Sequence, residues 1–322
     1  MPEIALFALH GSRALGERIA ERLEIPLSRH EEREFEDGEH KIRSLQRVAG
    51  HHVFVLQALH GDDAGSPNDR LCRLLFFVGA LKDAGADRVT ALVPYLCYAR
   101  KDRRTKPYDP VTSRYVATLF EAVGTGSIVT LDVHNVAAFE NAFRCPTRHL
   151  EPGMLFAGHL APLMHDRAVV VLAPDAGAAK RAESLRHHLE AQLRRPVGRA
   201  MMEKARSEGV VSGEALYGDV SGACVIVADD IIATGTTMLR AAAACRRAGA
   251  RSLYAVASHG LFAKRAAALV DEGGFDRVIV TDSVPNARDT GVGLGDRLTV
   301  LDCAELFADA VTAEHFGEQA AG

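Results

Sequence analysis

Two stretches of this chain repeat one pattern, and that pattern narrows the folds open to it. Residues 51–59 read HHVFVLQAL, followed by a polar loop, a leucine-rich helix and LKDAGADRVTALVPY. Residues 223–230 read ACVIVADD, followed by a polar loop, an alanine-rich helix and CRRAGARSLYAVASH. Each is strand, loop, helix, glycine-alanine turn, arginine, strand. Gly85 and Gly249 stand where a helix closes most cheaply on a left-handed residue. Similar alternation runs along the rest of the chain. Ile4–Leu9, Val53–Leu59, Val89–Tyr95, Ile128–Val133, Val169–Leu172, Val225–Ala228, Leu253–Ala257 and Val278–Thr281 read as strands. Arg13–Leu23 carries Leu15, Ile19 and Leu23 on one helical face, and Asn68 is placed to cap a helix reaching Asp83. Short apolar strands alternating with helices build parallel sheets covered on both faces. The repeat predicts a duplicated α/β domain. Pro146, Pro152 and Pro162 punctuate the join, giving domains at 1–150 and 151–322.

A length of 322 residues accommodates two such domains. With 38 basic and 42 acidic residues the net charge is -4, which argues against nucleic acid or an anionic membrane as partner. No apolar run approaches a membrane span, and MPEIALFALHGSR has no basic region ahead of its apolar stretch. The six cysteines are scattered without a C-x-x-C pair, so reduced thiols of a cytoplasmic protein are expected.

The segment Asp229-Asp230-Ile231-Ile232-Ala233-Thr234-Gly235-Thr236-Thr237 carries the chemistry. An apolar strand delivers two carboxylates at its C-terminal end, where open α/β sheets bind ligands. A turn of small and hydroxyl residues follows, then a helix. Backbone N–H groups at a helix start lack intrahelical partners and suit a phosphate dianion. Gly235 allows close backbone approach. Paired aspartates accept hydrogen bonds from neighbouring hydroxyls, as on a ribose. The first copy has LHGDDAGSPND in the equivalent place, with no threonine-glycine turn. The chemistry is therefore placed in the second copy alone.

This loop resembles the signature of proteins that bind phosphoribosyl diphosphate. Further segments match the ribose-phosphate diphosphokinases in order: Phe35-Glu36-Asp37-Gly38-Glu39, Pro94 through Arg103 (PYLCYARKDR), Asp132-Val133-His134, and Pro174-Asp175-Ala176-Gly177. The resemblance implies two tandem phosphoribosyltransferase-type α/β domains. It implies transfer of a diphosphoryl group from ATP to the anomeric hydroxyl of ribose 5-phosphate, with Mg2+ as cofactor and AMP as product.

The same resemblance assigns roles. Arg100 and Lys101, within a run of five cations from Arg100 to Lys106, contact ATP. Phe35, Asp37 and Glu39 hold adenine from a neighbouring subunit, so self-association and a composite ATP site are implied. His134 and Asp175 belong to the magnesium site. Lys204 and Arg206 match a K-x-R in a mobile catalytic loop that closes over the transferring group. Asp229, Asp230, Ala233, Thr234, Gly235, Thr236 and Thr237 hold ribose 5-phosphate.

Two positions depart from the family pattern. Ala233 replaces the usual Asp or Ser, and Thr236 replaces a glycine. They leave two alternatives open at this point: a non-catalytic regulatory subunit, or a phosphoribosyltransferase acting on a base.

Overall fold

The computed structural model describes residues 3–207, 210–262, 266–270, 274–285 and 293–317, and the side chains of 204–214 and 266–267 lie outside that description. The chain divides into two compact units. One holds the chain up to Leu150 with Ser283–Pro285 and the segment from Cys303 onward; the other holds Glu151–Asp282 and the segment ending at Asp302.

In the first unit, β1 (Ile4–Ala8), β4 (His52–Leu56), β5 (Arg88–Val93), β6 (Ser127–Leu131) and β7 (Thr147–Leu150) pair in that order as a parallel sheet. Side chains alternate across it, as strand geometry requires. Phe7, Val53, Val55, Val89 and Ala91 join a core with α2 (Pro67–Asp83) and α3 (Thr112–Ala122). An antiparallel hairpin, β2 (His30–Glu34) and β3 (His40–Ser44), stands apart from this sheet. It rests on α2, where His40 stacks on Phe76 with ring centroids 5.4 Å apart.

Helix α2 starts earlier than Asn68. Ser66 is its cap: the hydroxyl accepts from Asp69 N–H at 3.2 Å, and Asp69 accepts from Ser66 N–H at 2.8 Å. Pro67, whose missing N–H costs nothing in the first turn, makes this the cheaper start.

In the second unit, β8 (Val169–Ala173), β11 (Cys224–Ile232), β12 (Ser252–Gly260), β13 (Arg277–Thr281) and β14 (Leu298–Leu301) run parallel in that order. This is the strand order of the first unit repeated, with a two-stranded piece again inserted after the first strand. Here the insert joins the sheet: β9 (Gly198–Ser207) pairs parallel with β8, and β10 (Val210–Tyr217) antiparallel with β9 at the edge. Cys224, Ile226 and Ala228 face α5 (Gly153–Leu160) and α6 (Ala179–Leu193), while Val225 and Val227 face α7 (Thr236–Arg247). Both faces are dry, which is why β11 reads as an unbroken apolar run.

The last helix returns to the first unit. Helix α8 (Ala304–Phe316) packs against α1 (Arg13–Arg22) and is tied to the sheet by Glu314. That carboxylate is 8% exposed and accepts from Arg88 Nη2 at 2.8 Å, Arg148 Nε at 3.0 Å and Ser127 Oγ at 3.0 Å. The observed second unit thus lacks Ser283–Pro285 and the segment from Cys303 onward, which the expected domain 151–322 included. With β14 completing its own sheet, the second unit has no need of α8, whereas the first offers it polar anchors in Arg88, Ser127 and Arg148.

Candidate active site

Strand β11 lies between β8 and β12 and outruns its pairing with β8 at Val227. Asp229 and Asp230 stand on that overhang. Asp230 is 4% exposed, and its N–H donates to Asp229 Oδ1 at 2.9 Å. Burial, and then the neighbouring Asp230, push the Asp229 carboxyl well above the usual carboxylate range. Arg181 of α6 acts in the opposite direction, a charge that sequence motifs did not flag.

Five residues after Asp230, Gly235 stands as the N-cap of α7. The glycine is left-handed (φ +75°), and a Cβ there would lie 2.8 Å from Leu269 Cδ2. No side chain caps α7, so its first-turn N–H groups keep their capacity for an anion. Thr234 and Thr236 hydroxyls lie 3.1 Å apart on the exposed rim. Ala233, Thr236 and Thr237 belong to the same stretch between β11 and the first turn of α7.

The equivalent loop of the first unit is closed by its own side chains. Arg70 Nη2 donates to Asp62 Oδ1 at 2.5 Å, and His60 Nε2 lies 3.1 Å from Asp62 Oδ2, all three residues being buried or nearly so. Helix α2 carries a full capping box where α7 has none. One copy leaves its helix start without a side-chain cap, and the other caps it.

The first unit presents its cations on the loop after β5. Arg100 is exposed. Asp109 gathers the rest of the loop: Oδ2 accepts from Lys101 Nζ at 2.8 Å, Thr105 Oγ1 at 2.7 Å and the N–H groups of Thr105 and Lys106 at 3.1 Å. The Lys101 ammonium and these donors hold the Asp109 carboxyl far below its ordinary range. Asp109 is a loop organiser that the family motifs did not mark; its only sequence signal is an acid ahead of Pro110 in a basic run. His134 follows β6 on an exposed turn. Its neighbour Asn135 caps α4 (Val136–Ala142) and donates to Asp102 Oδ2 at 2.6 Å, joining the His134 turn to the basic loop.

Phe35, Asp37 and Glu39 form the tip of the β2–β3 hairpin. Phe35 N–H donates to Glu39 O at 2.7 Å, Glu39 N–H to Asp37 Oδ1 at 3.1 Å, and the Arg33 guanidinium lies 5.2 Å from the Phe35 ring centre. Phe35 is 40% exposed, large for an apolar ring.

Asp175 lies just past β8, and its Oδ1 accepts from Ala178 N–H at 3.1 Å ahead of α6. Lys204 and Arg206 lie on strand β9, facing Glu214 and Val211 of β10 in register, rather than in an irregular loop; their side chains are outside the described residues. Among the described residues no cluster of three or more His, Cys, Asp or Glu side chains is arranged to hold a metal ion. None of their helices is long and apolar enough to cross a membrane, and all six cysteines are free thiols.

Two parallel α/β units, one with an acid pair leading into a glycine-started, uncapped helix, define the phosphoribosyltransferase-type class. Comparison with known proteins is more specific. The N-terminal domain of ribose phosphate pyrophosphokinase matches residues 4–124, and the phosphoribosyl synthetase-associated domain matches residues 210–321. Ribose-phosphate pyrophosphokinase 1 of Streptococcus pyogenes serotype M3 is 32% identical over 317 residues, covering 97% of this chain and 95% of that protein. The crystal structure of phosphoribosylpyrophosphate synthetase from Mycobacterium smegmatis superposes with a TM-score of 0.87 at 30% identity, over 98% of this chain and 99% of that one. The chain belongs to the ribose-phosphate pyrophosphokinase family.

Proposed function

We propose that the chain transfers the diphosphoryl group of ATP to the anomeric hydroxyl of ribose 5-phosphate, yielding phosphoribosyl diphosphate and AMP. The observation that carries this reading is the uncapped start of α7 directly behind the Asp229–Asp230 pair. The 5-phosphate sits on the α7 N–H groups and the Thr234, Thr236 and Thr237 hydroxyls. The ribose hydroxyls donate to Asp229 and Asp230. The backbone donors survive the Ala233 and Thr236 substitutions, so both departures leave the cradle intact.

ATP is assigned to Arg100 and Lys101, whose charges oppose the triphosphate. Adenine is assigned to Phe35, Asp37 and Glu39 of a second copy, which makes self-association part of the reading. Exposed Phe35 at a hairpin tip supports that role. Lys204 and Arg206 neutralise the transferring group as its charge develops. The hydroxyl oxygen attacks the β-phosphorus as the bond to the α-phosphate oxygen breaks, and AMP carries that oxygen away.

A divalent ion fits the residues present in a limited way. Asp175 uses Oδ1 for its helix and leaves Oδ2 open, and His134 is exposed. Magnesium commonly takes one or two protein oxygens and keeps several waters and substrate phosphates, so a full protein cage is not required. Asp175 would hold it through Oδ2 within the second unit; when bound, it would neutralise diphosphoryl oxygens. Reaction of the full chain with ATP, magnesium and ribose 5-phosphate, read as AMP formed, tests the proposal.

A further inference from the structure

Outside the phosphate loop, the second unit contains a pocket of about 950 Å³ between α6 and the β8–β9–β10 face. None of residues 229–237 lines it. Its floor is apolar, from Val171 and Met201. Its rim is not. Lys180 and Arg199 line it, neither side chain makes a hydrogen bond or ion pair within 4.0 Å among the described residues, and the Arg199 charge acts on the lining Glu183 only at longer range. The lining acid, Glu183, is already held by Arg186 at 2.7 Å and His187 at 3.1 Å. Tyr217, 55% exposed, supplies an aromatic surface at the open side. Gly218, with φ +106°, lets β10 end tightly against β9, since a Cβ there would lie 2.6 Å from Arg199 O.

Two cations without a hydrogen-bonded acid partner, beside an apolar floor and an aromatic ring, match one ligand chemistry: a phosphate group on an organic, preferably planar, body. We propose that this pocket binds a phosphate-bearing small molecule, with Lys180 and Arg199 on the phosphate and Tyr217 and Met201 against the organic part. The pocket touches the base of the β9–β10 hairpin through Arg199, Met201 and Tyr217. An occupant therefore braces the strand that carries Lys204 and Arg206. The claim of binding stands independently of the proposed reaction.

Isothermal titration of the full chain with UMP and with inorganic phosphate reads the site. UMP takes no part in the proposed reaction. It is expected to bind once per chain and more tightly than inorganic phosphate, because its ring adds contact with Tyr217 and Met201. Arg199→Gln should weaken UMP at least tenfold, and Arg199→Lys should recover most of that. Lys180→Gln, at an exposed helix position, is a second variant expected to weaken UMP. Thr236→Glu, which places a negative charge in the phosphate loop, should leave UMP binding unchanged. Absence of binding, equal affinity for UMP and phosphate, binding that survives both Arg199→Gln and Lys180→Gln, or binding lost in Thr236→Glu each overturns the proposal.

Discussion

The backbone N–H of Asp230 donates to Asp229 Oδ1 at 2.9 Å, tying the Asp229 carboxyl to its neighbour's backbone at the end of a central strand. Burial, and then the neighbouring Asp230 charge, keep the Asp229 proton bound above the ordinary carboxylate range. The folded chain therefore holds a proton that the unfolded chain has lost, and the stability contributed by this group falls as pH rises from the ordinary aspartate range toward the raised value.

A ligand diol that donates to both carboxyls favours their ionised forms. Ribose 5-phosphate binding should release a proton at neutral pH and strengthen as pH rises above neutrality. Titration calorimetry in two buffers of different ionisation enthalpy reads the proton directly; proton uptake on binding would contradict the assigned role.

Gly235→Ala places a Cβ at φ +75° and 2.8 Å from Leu269. The left-handed conformation alone costs about 1–2 kcal/mol, and relief of the clash moves the start of α7. The KM for ribose 5-phosphate should rise about tenfold or more, a change of about 1.4 kcal/mol, with the KM for ATP nearly unchanged. Equal effects on both substrates would mean that the substitution disturbs the unit generally.

Lys204→Ala should reduce kcat by about two orders of magnitude or more while the KM for ATP changes little, because its contact forms mainly in the transition state. Steady-state kinetics with both substrates varied tests this. Normal turnover with a large loss of ATP affinity would reassign Lys204 to ground-state binding.

Glu314→Ala removes a buried carboxylate shared by Arg88 and Arg148. Both arginines are about a third exposed (35% and 30%), so water offsets part of the loss, and a destabilisation of about 1–3 kcal/mol is expected. Urea denaturation measures it. An unchanged midpoint would show that α8 is held by its apolar face alone.

Strands buried on both faces were legible because uninterrupted apolar runs such as VFVL and VIVA have few other uses. Short strands with mixed burial were not: β7 reads TRHL and β14 reads LTVL, too brief to show a period. The β9–β10 hairpin is disguised by SEG and SG sequences that also suit a loop. The return of α8 to the first unit has no local signal, since it depends on Arg88, Ser127 and Arg148 converging from three strands. The acid pair on β11 and the glycine turn into α7 were legible, because a strand, a short turn of small residues and a helix leave a fixed spacing in the chain. Closure of the first-copy loop by Arg70 and Asp62 was not, as an ion pair across eight residues looks like any surface pair until it is seen buried.

Incubation of the chain at micromolar concentration with ATP, magnesium and ribose 5-phosphate is the most direct measurement. AMP and phosphoribosyl diphosphate should appear in equal amounts, and a chelator should abolish both. No AMP, with a known synthetase active in parallel, would contradict the assignment of diphosphoryl transfer to this site.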